Sequence, residues 1–332
     1  MNRIHPLVVK NCASACSEAF SVIFCQSFAS GKVPDAWRLA QISPIFKKGS
    51  RSSPGNYRPI SLTSVPCKLM ERIVRDVMLE HLYSNNIIAS EQHGFVMKKS
   101  VVTNLLETVD RISDGIDNGF HVLVVFLDFA KAFDRVCHSS LRIKLISCGF
   151  CPRIIDWVSD FLSDRQQRVV IGKHKADWID VTSGVPQGSV LGPLLFVIYI
   201  NDMPEVVSHL VKLFADDSKL IATVRSNNDI SILQGDLNAL MEWSNTWRML
   251  FNVDKCKVMD FSRTNGKQIN SYLFMGESEG SSTLNYVETE KDLGVTLSRN
   301  LKFSTHIRIQ ANKATAILGQ LKRTFRYWTI DT

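Results

Sequence analysis

Stretches with helical spacing of apolar residues alternate along this chain with short unbroken apolar runs. CKLMERIVRDVMLEHLYSNN (67–86) places apolar side chains near i, i+3, i+4 and i+7, which predicts an amphipathic helix. SACSEAFSVIFCQSFASG (14–31) predicts an N-terminal helix stopped by Gly31, with Pro34 beyond it. A helix is predicted from about Ser140 to Cys148, ended by Gly149. Another follows Asp229, read as its cap, with Ile230, Leu233, Leu237 and Leu240 on one stripe. STHIRIQANKATAILGQLKRTF (304–325) predicts a last helix, basic as well as amphipathic.

The strands come from a different pattern. FHVLVVFL (120–127) is continuous, β-branched and aromatic, so it predicts a strand covered on both faces; it stops at Asp128. QISPIFKKGSRSSPGNYRPISL (41–62) predicts a strand, a basic Gly/Ser/Pro loop and an extended return. TSGVPQGSVLGP (182–193) is a glycine-rich loop feeding the apolar helix LLFVIYIND (194–202). KLFADDSKLIATV (212–224) predicts a hairpin bent at Asp216–Asp217, NVDKCKVMDFS (252–262) leads into a strand, and KDLGVTLS (291–298) gives a turn and strand. No repeat, low-complexity tract or obvious linker divides the chain, so it is expected to form one continuous α+β unit.

Composition narrows the function classes. Of 332 residues, 45% are hydrophobic and 21% charged, enough for a sizeable core. Lys and Arg outnumber Asp and Glu by 39 to 32, a net +7 that favours a polyanionic partner, nucleic acid before membrane surface. No apolar run reaches the ~18 residues that span a bilayer, and MNRIHPLVVKNC lacks a signal-peptide layout. An intracellular, non-membrane protein is expected. The eight cysteines are scattered rather than framed as disulfides; Cys148 and Cys151 form a CxxC without a second Cys/His pair and are read as ordinary thiols.

The chemistry lies in carboxylates. Adjacent Asp216 and Asp217 repel each other and are costly within an apolar hairpin. A turn alone would account for them, but Asp-Asp without glycine is a weak turn signal. If the hairpin lies beside the strand that ends at Asp128, three carboxylates converge at one sheet edge and call for cations. Mg²⁺ binds one or two carboxylates and takes its other ligands from waters and phosphates. Two such ions clamp the attacking and leaving oxygens of a phosphoryl transfer.

FLDFAKAFDRV, SGVPQGSVLGPLLFVIYINDMP and LFADDSKL occur in that order, preceded by PIFKKG, NYRPISL and SEQHGF and followed by FNVDKCKVMDFS and KDLGVTL. This series resembles the ordered motifs of reverse transcriptases of non-LTR retrotransposons, of the LINE or Jockey type, over roughly residues 28–300. The resemblance implies a right-hand polymerase. Residues 28–297 would be the reverse transcriptase domain of fingers and palm with an antiparallel palm sheet, 298–332 a partial helical thumb, and 1–27 a helical extension. It implies an RNA-directed DNA polymerase that adds dNTPs to a DNA primer on an RNA template. Two Mg²⁺ ions would serve it, with Mn²⁺ a substitute.

By position in the motifs, Asp128 and Asp216 would be the principal metal ligands, Asp217 the third carboxylate, and Phe129 a backbone-carbonyl ligand. Phe133, five residues after Asp128, would be the steric gate below the sugar. Gln187 and Gly188 would contact the incoming nucleotide and template. Lys47, with Lys48, and Arg58 would hold the triphosphate. Lys255 would protonate the leaving pyrophosphate, with Lys257 close enough to compete for the role. His93, in the QHGF turn, is expected to have no catalytic part. Family members are usually longer, so the resemblance casts the chain as a polymerase core without an endonuclease and with a shortened thumb. The alternative is a catalytically inactive nucleic-acid-binding remnant of a retroelement. A two-metal nuclease would share the carboxylates but would not need Phe133, the Gln187–Gly188 loop or the Lys47 and Arg58 pair.

Overall fold

A computed structural model of the chain describes residues 6–262, 273–275 and 282–325. Residues 1–5 of the expected extension and 326–332 of the expected thumb lie outside them. Helix α1 (Ala13–Ser30) ends as predicted, with Gly31 in the left-handed conformation at φ 65°. Strands β1 (Leu39–Phe46) and β2 (Tyr57–Leu62) flank the basic loop. Helices α2 (Val65–Ser84) and α3 (Val101–Asp117) precede the apolar strand β3 (His121–Leu127). Helices α4 (His138–Ser147) and α5 (Pro152–Leu162), strand β4 (Arg165–Ile171) and the short helix α6 (Gly192–Tyr199) follow. The hairpin β5 (Leu210–Phe214) and β6 (Asp217–Val224) then leads into α7 (Asn227–Thr246). Strands β7 (Lys257–Phe261), β8 (Asn285–Tyr286), β9 (Thr289–Asp292) and β10 (Val295–Ser298) precede the closing helix α8 (Ser304–Thr324).

The central sheet runs β8-β7-β3-β6-β5. It is antiparallel except that β8 pairs parallel to β7. Its middle strand explains the unbroken apolar run. Leu123, Val125 and Leu127 enter the main core with residues of α2, α4, α5 and α6, while Val122 and Val124 enter a smaller core with Ile112 and Ile116 of α3 and Phe261 of β7. Alternate side chains point to opposite faces, so a strand with a core on each side must be apolar throughout. Helix α3 comes so close that a Cβ on Gly115 would meet Val122 at 2.4 Å.

A second sheet joins β2 to β1 antiparallel and β1 to β4 in parallel. Short strands at His174–Lys175 and Ile179–Val181 extend it from β4. One local expectation is corrected. Asp229 does not cap α7; Ser226 does, and Asp229 sits at the third helical position, accepting from the Ser226 backbone N–H at 2.8 Å in a capping box. The apolar stripe itself is as expected, with Leu233, Leu237 and Leu240 fully buried. Helix α8 buries none of its residues against the rest of the described chain.

Candidate active site

Asp128 follows directly on β3, one residue beyond the Leu127–Ser218 pair with β6. Its place is fixed from the other side by the segment ahead of β7. The Asn252 N–H donates to the Asp128 carbonyl at 2.7 Å and the Ala130 N–H to the Leu250 carbonyl at 2.9 Å. Phe129 and Phe251 form an antiparallel bridge between these bonds, their rings stacked at 4.6 Å. In such a bridge the central residue's own N–H and C=O face away from the partner strand. The Phe129 carbonyl is therefore not taken up by residue 251.

The acidic hairpin is tighter than its sequence suggested. Phe214 pairs with Asp217, which leaves Ala215 and Asp216 as a two-residue loop and makes Asp217 the first residue of β6. Ala215 carries the left-handed backbone, at φ 54°. Such a conformation costs a non-glycine residue about 1–3 kcal/mol and persists only where neighbours hold it. Here the SEQHGF segment holds it. The side-chain amide oxygen of buried Gln92 accepts from the N–H groups of Gly94 at 2.7 Å and Ala215 at 3.2 Å. Leu213 exchanges backbone bonds with Glu91 and His93, and its carbonyl also accepts from the Asn104 amide at 3.2 Å. Gly94 lies so close that a Cβ there would sit 2.3 Å from the Ala215 nitrogen. His93, in the same segment, is buried and bonded to Glu107 at 3.2 Å. Gln92 and Gly94 were missed as supports, and the motif segment SEQHGF was the signal that pointed to them.

The hairpin and the end of β3 open on one cleft of about 1410 Å³. Asp128, Asp216 and Asp217 line it together with Phe129, Phe133, Gln187, Gly188, Lys47, Arg58 and Lys255. Lys48 turns instead to an adjoining hollow of about 590 Å³, shared by Asp128, Asp217, Arg58, Lys255 and the turn between β9 and β10. Phe133 is half-buried; its ring stacks on Phe196 of α6 at 4.7 Å while lining the cleft. The glycine-rich loop braces its backbone: the Val185 N–H donates to the Phe133 carbonyl at 2.8 Å, and a Cβ on Gly184 would lie 2.8 Å from that oxygen. Gly188, at φ 106°, passes against β2, where a Cβ would meet the Ser61 carbonyl at 2.7 Å. Of the two candidate lysines, Lys255 pairs with Asp128 at 3.1 Å, whereas Lys257 pairs with Glu290 at 2.8 Å, away from the aspartates.

Electrostatics separates these carboxylates from ordinary turn residues. Burial in the cleft raises the Asp216 carboxyl, Arg58 and Lys47 lower it, and Asp128 raises it. Asp217 is pushed up to about 6, first by burial, then by repulsion from Asp216, Asp292 and Asp128. Both side chains remain exposed to solvent at the mouth of the cleft, so water screens part of this repulsion. Lys219 lies two residues from Asp217 on β6, but it is already taken by Asp292 in a buried ion pair. Three carboxylates that repel one another, two of them raised despite the Lys47, Arg58 and Lys255 cations on the walls, fit a divalent cation. Among the described residues no three His, Cys, Asp or Glu side chains are gathered as a ready metal cage. A magnesium site does not need one, because Mg²⁺ completes its shell with waters and phosphates.

Comparison with known proteins bears on this arrangement. A solved structure of apo telomerase from Candida tropicalis, truncated from the C-terminal domain, aligns with 87% of this chain and 59% of its own at TM-score 0.49 and 12% identity. The RNA-directed DNA polymerase from the mobile element jockey of Drosophila melanogaster is 31% identical over 297 residues, 86% of this chain and 32% of that protein. The probable RNA-directed DNA polymerases from transposon BS and transposon X-element of the same fly are 29% and 30% identical, over 87% and 82% of this chain and 32% and 30% of their own. The chain thus spans about a third of the length of the curated relatives it matches. A sequence model of the family described as reverse transcriptase (RNA-dependent DNA polymerase) matches residues 45–297, a stretch that contains every aspartate, lysine and loop of the cleft. The chain belongs to the reverse transcriptase family.

Proposed function

We propose that this chain is the RNA-directed DNA polymerase core of a non-LTR retrotransposon of the jockey kind, extending a DNA primer on an RNA template with dNTPs. The observation that carries the reading is the meeting of Asp128, Asp216 and Asp217 in a cleft whose walls supply Lys47, Arg58, Phe133 and the Gln187–Gly188 loop. The central sheet would be the palm, the second sheet and its basic loop the fingers, and α8 the start of the thumb. Within the chain, this puts the reverse transcriptase domain at 28–297, part of the thumb at 298–332 and a helical extension at 1–27.

Reverse transcriptases are as a rule divalent-metal dependent. Asp128, Asp216, Asp217 and the Phe129 carbonyl would hold two Mg²⁺ ions, or Mn²⁺ in their place. Bound there, the metal supplies Lewis-acid stabilisation of the attacking and leaving oxygens. The rest falls to the chain's own groups. Lys47 and Arg58 neutralise the triphosphate, the planar guanidinium suiting a bidentate contact with two phosphate oxygens. Gln187 and Gly188 lie against the nascent base pair, and Gly188 lets the loop pass close to β2, where a Cβ would meet the Ser61 carbonyl. Phe133 closes the space below the sugar, so a 2′-hydroxyl meets a ring held by Phe196. The primer 3′-oxygen then bonds to the α-phosphorus, its proton passing to water, as the bond from that phosphorus to the oxygen bridging the β-phosphate breaks. Pyrophosphate departs, and Lys255 gives it a proton.

The test is extension of an annealed DNA primer on an RNA template by the purified chain, with Mg²⁺ and with chelator. Metal-dependent extension is expected. Tight primer–template binding with no extension would instead favour the inactive remnant.

A further inference from the structure

Glu71 is a buried acid for which the proposed chemistry has no use. It lies on α2, fully shielded from solvent, and both of its oxygens are engaged. One accepts from the Cys67 thiol, a turn earlier in the same helix, at 3.4 Å. The other accepts from two backbone N–H groups of the glycine-rich loop, Val190 at 2.7 Å and Leu191 at 3.0 Å. These amides stand immediately ahead of α6, where N–H groups have no acceptor within a helix. Burial pushes the Glu71 carboxyl up; the two amides, the thiol and the Arg165 guanidinium pull it back. Arg165 is itself buried, and it donates to the carbonyls of Trp37 and Phe161. A buried carboxylate costs free energy unless its hydrogen bonds are made. This one makes two of its three to a single loop.

That loop is the one that carries Gln187 and Gly188. On its other side the Ser61 N–H of β2 donates to the Gln187 carbonyl at 2.6 Å. Ser189 closes it internally, donating to the Pro186 carbonyl and accepting from the Gly192 N–H, both at 2.9 Å. The cleft-facing stretch therefore hangs between two anchors, β2 at residue 187 and Glu71 at residues 190 and 191.

We infer that Glu71 is a positioning residue for the incoming nucleotide. By holding Val190 and Leu191, it sets the height of Gln187 and Gly188 over the cleft without touching substrate itself. The inference rests on the reading of the cleft as a dNTP site. Glu71→Leu removes both acceptors at similar volume, whereas Glu71→Gln keeps a carbonyl oxygen for the two amides. With Glu71→Leu, KM for dNTP should rise roughly tenfold, the change that about 1.4 kcal/mol of lost binding produces, and by more than Kd for primer–template. Glu71→Gln should restore KM to the wild-type value. The split matters because a merely unstable enzyme loses active molecules without changing the KM of those that remain.

An unchanged KM in Glu71→Leu overturns the inference. Should that variant not fold, amide exchange in the wild-type chain decides: slow exchange at Val190 and Leu191 supports the anchor, and fast exchange there removes it. A wild-type chain that does not extend primed RNA takes away the dNTP site and this inference with it. An active wild type with the wrong variant pattern takes away the inference alone.

Discussion

Asp217 shows most directly what the site asks of a single side chain. Its folded-state value of about 6 lies above the ordinary 3.8 for an aspartate. Below about pH 4 it is protonated in both the folded and the unfolded chain and contributes nothing to their difference. As pH rises through 4 to 6 the unfolded chain releases the proton first, so the metal-free fold loses stability across that window and stays at the lower level above it. Asp217→Asn should therefore melt higher than wild type in chelator, by a margin that opens between pH 4 and 6 and closes when Mg²⁺ is added. A margin independent of pH and of Mg²⁺ would mean that the carboxylates do not share a cation. Phe133 makes a second case, because its ring both lines the cleft and stacks on Phe196. Phe133→Val should lower stability by roughly 1–3 kcal/mol, as lost packing does. It should also raise the rNTP-to-dNTP incorporation ratio at least tenfold, which asks only about 1.4 kcal/mol of a steric clash. An unchanged ratio with the same loss of stability would leave the ring a packing residue only.

At the scale of elements, the site depends on how four backbone segments meet. The β5–β6 turn, the end of β3, the segment at 250–252 and the SEQHGF segment are held by main-chain bonds at Leu213, Asp128 and Ala130. Gly94 is the tightest of these contacts, and its neighbour is backbone that cannot rotate aside. Gly94→Ala should displace the turn and lower incorporation roughly a hundredfold or more, the scale of loss from an ångström-sized misplacement in an active site. Single-turnover incorporation with saturating dNTP would measure it, and a variant as fast as wild type would contradict the brace. Elements with a strong local signature were legible in the sequence: α1 with its Gly31 stop, α2 by period, β3 by its unbroken apolar run, and the acidic hairpin. That Asp128 and the aspartate pair share one sheet edge was only a condition in the sequence, and the pairing of β3 with β6 meets it. Helix α3 was not read. Its face toward the sheet includes buried Asn104 and Thr108, polar residues that break an apolar stripe and are paid for by bonds to Leu213 and Asn104 backbone oxygens. The parallel pairing of β1 with β4 and the Glu71 anchor were equally hidden. Each joins residues more than a hundred positions apart, and each uses main-chain N–H groups, of β1 and β4 in one case and of Val190 and Leu191 in the other, which leave no mark in side-chain periodicity.

Over the whole molecule most charges are mixed, with ion pairs such as Arg38–Asp160 and Arg142–Asp156 far from the aspartate hairpin. The chain is basic by +7, yet its acids of consequence meet in one cleft, with Lys47, Arg58 and Lys255 on the walls around them. Such a layout suits a polyanion that enters along basic walls and reacts at an acidic floor. Helix α8 leaves the sheets with no buried residue, ending in Lys322 and Arg323, and so offers basic surface beside the cleft domain rather than support to its core. Among the described residues no helix is long and apolar enough to cross a membrane. In the proposed function the three aspartates, as a metal-holding set, are what would make this chain a polymerase. That reading is tested most directly by dNTP incorporation on an RNA template, comparing wild type with Asp216→Asn at equal folded fraction and equal primer–template occupancy. The account predicts Mg²⁺-dependent extension by wild type and a fall of several orders of magnitude in the variant, on the order of 4 kcal/mol or more of lost transition-state stabilisation. Incorporation by Asp216→Asn near the wild-type rate would contradict it.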